Sequence, residues 1–254
     1  FIVGSALIFL GFGVYGAITA FLVGQILYAI LLIFLLSSQN KIPFKPFEWK
    51  LARELLIKSW PYGVLSAIGF ASFRFDTVLL SYLRGGTETG IYSLAFRFLE
   101  AATIIPVAFG TILYPVFSEQ AKDPTNTKKL FNHSLLIGFL AGIAALIGIT
   151  IIVPLFLNRF LPESFFGSSS ALMILSLAIP FIFMHIPMGQ LLLSREGMLK
   201  KILFLYLFIF LVNIALMLKI IPQYGYIGAA WITVAIEALT FISFYLFIKI
   251  KVLD

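Results

Sequence analysis

Eight apolar runs make up most of this chain, at 1–10, 13–36, 61–83, 90–117, 135–157, 168–193, 202–221 and 225–248. Seven of them are long enough, at 1.5 Å per residue, to cross a hydrocarbon core about 30 Å thick; the first is a partial run. Inside such a core the backbone finds no water, so each crossing segment has to close its own hydrogen bonds as a helix. The expected fold class is therefore all-α, a polytopic transmembrane helix bundle. With 61% hydrophobic and 11% charged residues, the chain cannot be a soluble globule.

A net charge of +7 would suggest nucleic acid in a soluble protein, but most of the basic residues occupy the short gaps between apolar runs. One set of gaps holds Lys41, Lys45, Lys50, Arg53, Lys58, Lys122, Lys128, Lys129, Arg195, Lys200, Lys201, Lys249 and Lys251; the other holds only Arg84, Arg159 and Lys219. The positive-inside rule puts the first set, and with it the C-terminus, in the cytoplasm. No nucleic-acid partner is expected. The chain begins with Phe1, already inside an apolar run, so the first helix reads as truncated. Three domains are expected: 1–40 as the end of an N-terminal lobe, 41–59 as a cytoplasmic linker and 60–254 as a six-helix C-terminal lobe. Within the linker Trp49, Leu51, Ala52, Leu55 and Leu56 recur at helical spacing, which predicts an amphipathic helix lying on the membrane and entering the next span with Pro61 in its first turn.

Four charges interrupt the pair of spans around the Gly85-Gly86 turn: Arg74, Asp76, Arg97 and Glu100. A charge inside an apolar helix is costly, so it is paired or it is used. Measured inward from Leu83 and Gly90, Asp76 matches Arg97 in depth and Arg74 matches Glu100. Arg97 and Glu100 share a helix face, whereas Arg74 and Asp76, two residues apart, point in roughly opposite directions. One of that second pair is expected to meet the Arg97/Glu100 face and the other to look into a cavity or toward another helix. Two uses stay open. An arginine meets a phosphate or anionic sugar, with the carboxylates holding it or taking up protons; or the four form an ion-pair cluster that fixes helix register.

Four more polar residues sit in apolar runs as structural or proton-relay candidates: Gln25, His185, Asn213 and Glu237. Gln25 and Glu237 occupy equivalent places in an internal echo, in which Gly13-Val14-Tyr15-Gly16-Ala17 returns 212 residues later as Gly225-Tyr226-Ile227-Gly228-Ala229. Parallel repeats of this kind are a known transporter plan. Asn213 is expected to bond Glu237 across the last hairpin. His185 lies between Pro180 and Pro187 in a helix those prolines should kink, as a structural residue or a proton relay. His133 reads as interfacial, and Tyr92 and Tyr114 as candidates for stacking against sugars.

Four stretches carry a family resemblance: Asp76-Thr77-Val78-Leu79-Leu80; Gly90-Ile91-Tyr92-Ser93-Leu94-Ala95; Leu113-Tyr114-Pro115-Val116-Phe117-Ser118; and Asn213 with the run from Ile221 and Pro222 through Gly225 and Gly228 to Ala230. In order and spacing they resemble the oligosaccharide flippases, the polysaccharide-transporter branch of the multidrug/oligosaccharidyl-lipid/polysaccharide (MOP) exporter superfamily. The resemblance implies a two-lobe transporter of the MOP-exporter type, N-terminally truncated here. It also implies movement of an undecaprenyl-diphosphate-linked oligosaccharide across the cell inner membrane by alternating access, driven by H+ or Na+ if ion-coupled, in a monomer surrounded by membrane lipids.

No cysteine is present, and no HExxH, P-loop or GxSxG motif occurs, so no enzyme activity, cofactor or metal is expected. The alternatives are a cation-coupled multidrug exporter or peptidoglycan-precursor flippase of the same superfamily, a membrane-embedded glycan polymerase or acyltransferase, and a non-transporting scaffold.

Overall fold

The computed structural model describes residues 2–38, 48–160 and 167–253. The part of the expected linker at 41–47 lies outside them. The elements are α1 (Ile2–Leu7), a π-turn (Ile8–Phe12), α2 (Gly13–Ser38), α3 (Trp49–Arg84), α4 (Gly86–Glu119), a 3-10 turn (Gln120–Lys122), α5 (Pro124–Phe160), α6 (Gly167–Ser176), α7 (Ile179–Leu193), α8 (Leu199–Ile248) and a closing π-turn (Lys249–Leu253). The fold is all-α, with no strand among the described residues. Five helices are long and apolar enough to cross a membrane, α6 and α7 together make a sixth passage bent by 45°, and the reversal of α8 described below makes a seventh. The chain is a multi-pass membrane protein.

Two compact units divide it, Phe1–Leu55 and Leu56–Asp254. In the first, α1 and α2 meet at a break where Gly11 and Gly13 both take positive φ. The apolar side chains of α2, Phe21, Leu22, Ile30 and Phe34 among them, stand exposed, as they do on a helix solvated by lipid.

In the second unit α7 is the axis, buried along nearly its whole length and packed on α4, α5 and α8. Its approach to α5 depends on Gly138 and Gly142, one turn apart. A Cβ there would come within 2.7 Å of the Phe183 carbonyl oxygen and 2.7 Å of Pro180 Cα. Small residues let helix backbones approach this closely, which replaces the hydrophobic driving force that lipid does not provide. The expected kink is present but displaced. It falls at residues 177–178, where Pro180 opens α7 and its missing N–H costs nothing, while Pro187 is carried inside α7 without a break. Pro61 likewise lies inside an unbroken α3 and not in a first turn, because the helix starts twelve residues earlier, at Trp49.

α8 is 50 residues long, about 75 Å at 1.5 Å per residue, which is more than twice a membrane core. It breaks at Gly225, with φ 54° and ψ −139°. Asn213 and Glu237 stand twelve residues to either side of that break and line the same cavity, so the chain reverses direction there. Gly13, the echo partner of Gly225, has nearly the same conformation, φ 50° and ψ −135°. Gly16 and Gly228 also correspond: an added Cβ would meet Phe12 Cβ at 2.9 Å in one and Tyr224 Cβ at 2.8 Å in the other, each four residues back across its break.

Arg84 and Glu88 hold the break in α8. Glu88 Oε2 accepts the Tyr226 N–H at 3.0 Å, Arg84 Nη1 donates to the Pro222 carbonyl at 3.4 Å, and the two side chains pair with each other at 2.8 Å. A carboxylate thus meets the N-terminal end of one half of α8 and a guanidinium the C-terminal end of the other, which suits both helix dipoles. Replacing Glu88 with Ala should cost about 1 kcal/mol, the scale of a lost helix cap, and lower the unfolding midpoint in detergent. Glu88→Gln should recover part of the loss, because an amide oxygen still accepts the Tyr226 N–H.

Candidate functional site

The hairpin of α3 and α4 is tighter than its sequence suggests. Gly85 alone makes the turn, in left-handed backbone (φ 84°), and Thr87-Glu88-Thr89 already belong to α4. Counted from Gly85, Asp76 is nine residues before the turn and Tyr92 seven after it, so Asp76 lies opposite Tyr92 and not opposite Arg97. The depth match between Asp76 and Arg97 is thereby corrected.

Asp76 is 2% exposed. Its Oδ2 accepts from the Tyr92 hydroxyl and its Oδ1 from the Thr77 N–H at 2.7 Å. Tyr92 Oη is in turn 3.0 Å from Thr233 Oγ1 on α8. Full burial removes Tyr92 as a sugar-stacking residue; Tyr114 remains exposed. Arg74, pointing the other way, pairs with Glu100, which Arg97 also approaches at 3.4 Å. The arginine side chains are 53% and 70% exposed, against 18% for Glu100. One carboxylate thus anchors two open guanidiniums in the middle of apolar helices. Beside them runs a groove of about 370 Å³ lined by Ser66, Gly69, Phe70, Phe73, Arg74 and Glu100.

Behind α3 lies a second space. A cavity of about 310 Å³ lies among α3, α4, α7 and α8, with Ser72, Thr103, His185, Tyr206, Asn213, Glu237 and Thr240 as its polar lining. A smaller pocket, about 50 Å³, shares Asn213 and Glu237 with it and reaches Asp76 and Thr233. Glu237 bonds His185, Nε2 to Oε2 at 2.6 Å, and not Asn213 as expected; α7 passes close enough to intercept it. Asn213 Oδ1 and His185 Nδ1 are left buried without a hydrogen-bond partner among the described residues. Gly69 and Phe73 line both the groove and the cavity, so one turn of α3 is the wall between them.

Gln25 is exposed on α2 in the first unit. His133 is exposed near the start of α5, its Nδ1 donating to the Lys129 carbonyl at 2.8 Å. No group of three or more His, Cys, Asp or Glu suited to a metal occurs among the described residues.

Residues 1–120 match the family model described as polysaccharide biosynthesis protein. Over that stretch, just under half of its length, the chain is similar to that family. Arg74, Asp76, Arg97 and Glu100 all fall within the matched stretch. The capsular polysaccharide biosynthesis protein CapF of Staphylococcus aureus is 26% identical over 206 residues, covering 78% of this chain and 50% of that protein. The chain thus spans about half the length of the curated relative it matches. No solved structure matches it significantly.

Tyr92 was missed as the partner of Asp76, and a correct turn length would have found it. Replacing Tyr92 with Phe leaves the buried Asp76 with its backbone donor alone, and should cost about 1–3 kcal/mol. Thermal unfolding of Tyr92→Phe, Asp76→Leu and the double variant checks this. The double variant is expected to be more stable than Tyr92→Phe, because it no longer strands a carboxylate.

Proposed function

We propose that this polysaccharide-biosynthesis relative is part of a flippase that carries an undecaprenyl-diphosphate-linked oligosaccharide across the cytoplasmic membrane by alternating access. The observation that carries the reading is the pair of open arginines, Arg74 and Arg97, tethered to Glu100 in apolar helices. A guanidinium matches phosphate oxygens bidentately, and Glu100 limits the rotamer freedom each arginine gives up on binding. A half-exposed arginine is unsuited to lipid, so this face of the second unit serves a hydrated path. Exposed Phe70 beside Arg74 adds an apolar surface for a sugar ring or prenyl chain. The matching breaks at Gly13 and Gly225 support a two-lobe plan with domains at 1–40, 41–59 and 60–254, working as a monomer without catalytic chemistry of its own.

The inner cavity provides the drive in this reading. Glu237 and Asp76, with His185 beside Glu237, take H+ or Na+ from a gradient, and their occupancy shifts the Gly69–Phe73 turn that also walls the groove. Energy from the ion thereby reaches the arginines through one turn of α3. The multidrug-exporter alternative is less favoured, since an organic cation would meet two exposed guanidiniums at the groove.

Arg74→Ala and Arg97→Ala should each reduce complementation of polysaccharide export in a strain lacking the protein by roughly tenfold, the loss of one charge-assisted hydrogen bond. Full export at normal expression would sink the substrate assignment. Glu237→Gln should abolish the response of transport in proteoliposomes to an imposed H+ or Na+ gradient while substrate binding persists; a wild-type gradient response would remove the ion site from the reading. A C-terminal fluorescent or phosphatase reporter should report a cytoplasmic end.

A further inference from the structure

The helices of the second unit are not held equally. At the end that carries Gly85, Arg84 and Glu88 tie the α3–α4 turn to the break in α8, and Ser168 Oγ donates to the Ile91 carbonyl at 2.9 Å, joining α6 to α4. At the opposite end Arg195, just past α7, donates Nη1 to the Ala121 carbonyl and Nη2 to Thr127 Oγ1 at 2.9 Å, and Thr127 donates to the Gln120 carbonyl at 2.8 Å. Between these clamps the backbone of α7 packs closely on α4, α5 and α8. α3 takes no part in that close packing beyond isolated approaches.

What holds α3 lies mostly in its last third. Asp76 bonds Tyr92, Arg74 pairs with Glu100, Phe73 meets Phe96 edge-on with ring centroids 5.2 Å apart, and Phe75 meets Phe210 at 5.8 Å. Among the described residues, no hydrogen bond or ion pair ties residues 61–72 of α3 to another helix, and Leu65 and Ile68 rest there by apolar contact. Gly69 stands near the border of the two stretches. Its φ is not positive, and a Cβ built on it meets nothing within 4 Å, so neither the backbone nor a close approach requires a glycine. What remains is its effect on the helix, which a mid-helix glycine weakens relative to alanine. Gly63 has the same open surroundings but lines neither the groove nor the cavity, whereas Gly69 lines both. A bend at Gly69 therefore has room on either side, about 310 Å³ in the cavity and about 370 Å³ in the groove.

We propose that Gly69 is the hinge of the second unit: α3 bends there, its 56–68 stretch moves as an arm, and α4 to α8 stay one rigid body. This rests on the transport reading above and names the part that moves in it. A bend toward the cavity fills that space and widens the groove beside Arg74; the opposite bend narrows the groove. The ties of Arg74 and Asp76 lie beyond the hinge, so the arginine keeps its place while the wall next to it moves.

The chain has no cysteine, so introduced pairs carry spin labels without competing sites. In the full chain reconstituted in lipid, label-to-label distances are measured by pulsed electron resonance at low and high pH, with and without Na+. One pair, Tyr62→Cys with Lys200→Cys, spans the arm and α8; the other, Lys129→Cys with Lys200→Cys, spans the clamped body. The first should give two distances and the second one. Gly69→Ala fits without contact and should lower the bent population of the first pair, relative to the unbent one, about fivefold, the effect of one glycine-to-alanine change inside a helix. Gly63→Ala should leave the populations unchanged. A single distance for the Tyr62 pair under every condition overturns the hinge. Equal losses in Gly63→Ala and Gly69→Ala reduce it to general helix stiffness and overturn it too, and two distances for the Lys129 pair overturn the rigid body. Two arm positions that ignore H+ and Na+ would support the hinge and count against the ion drive alone.

Discussion

Inside an apolar bundle a polar group that loses water has to find another partner, and this demand shapes the structure at every scale. For the backbone it allows only helices. At the Gly225 break the freed N–H of Tyr226 and carbonyl of Pro222 are met by Glu88 and Arg84, so the tip of one hairpin secures the tip of another. For side chains it sorts the residues of α3 by direction. Asp76 turns inward to Tyr92 and Thr77, and Arg74 turns outward to Glu100.

Where that demand is met, helices are tied to one another; where it is not, polar atoms stay without a partner. The Asp76–Tyr92–Thr233 chain ties α3, α4 and α8 together beside a small pocket. The adjoining cavity has two buried polar atoms, Asn213 Oδ1 and His185 Nδ1, without a hydrogen-bond partner among the described residues, and the groove borders Arg74, which shares Glu100 with Arg97. These two incompletely satisfied sites lie on either side of a single helical turn. Gly69 and Phe73 line both of them.

Much of the architecture was legible in the order of residues. The apolar runs, the break at Gly225, the echo of Gly13 and Gly225 and the opposite directions of Arg74 and Asp76 all follow from periodicity and composition. Partners that depend on turn length were not legible. Taking residues 84–89 as the turn placed Arg97 opposite Asp76, whereas a helix restarting at Gly86 moves Tyr92 there. Glu237 was assigned to Asn213 because both lie on the last hairpin, but α7, from elsewhere in the chain, supplies His185 instead.

The sequence by itself determined that the chain is helical and membrane-spanning, where it breaks, and which few residues carry charge into apolar surroundings, because burial of the backbone in lipid and the 3.6-residue period act locally. The tertiary structure alone decided which charges are neutralised, which stay open, and which acceptors go without a donor. Those outcomes depend on distances of about 3 Å between helices far apart in the chain, set by the close packing of α7 against α5 at Gly138 and Gly142 and by the one-residue turn at Gly85.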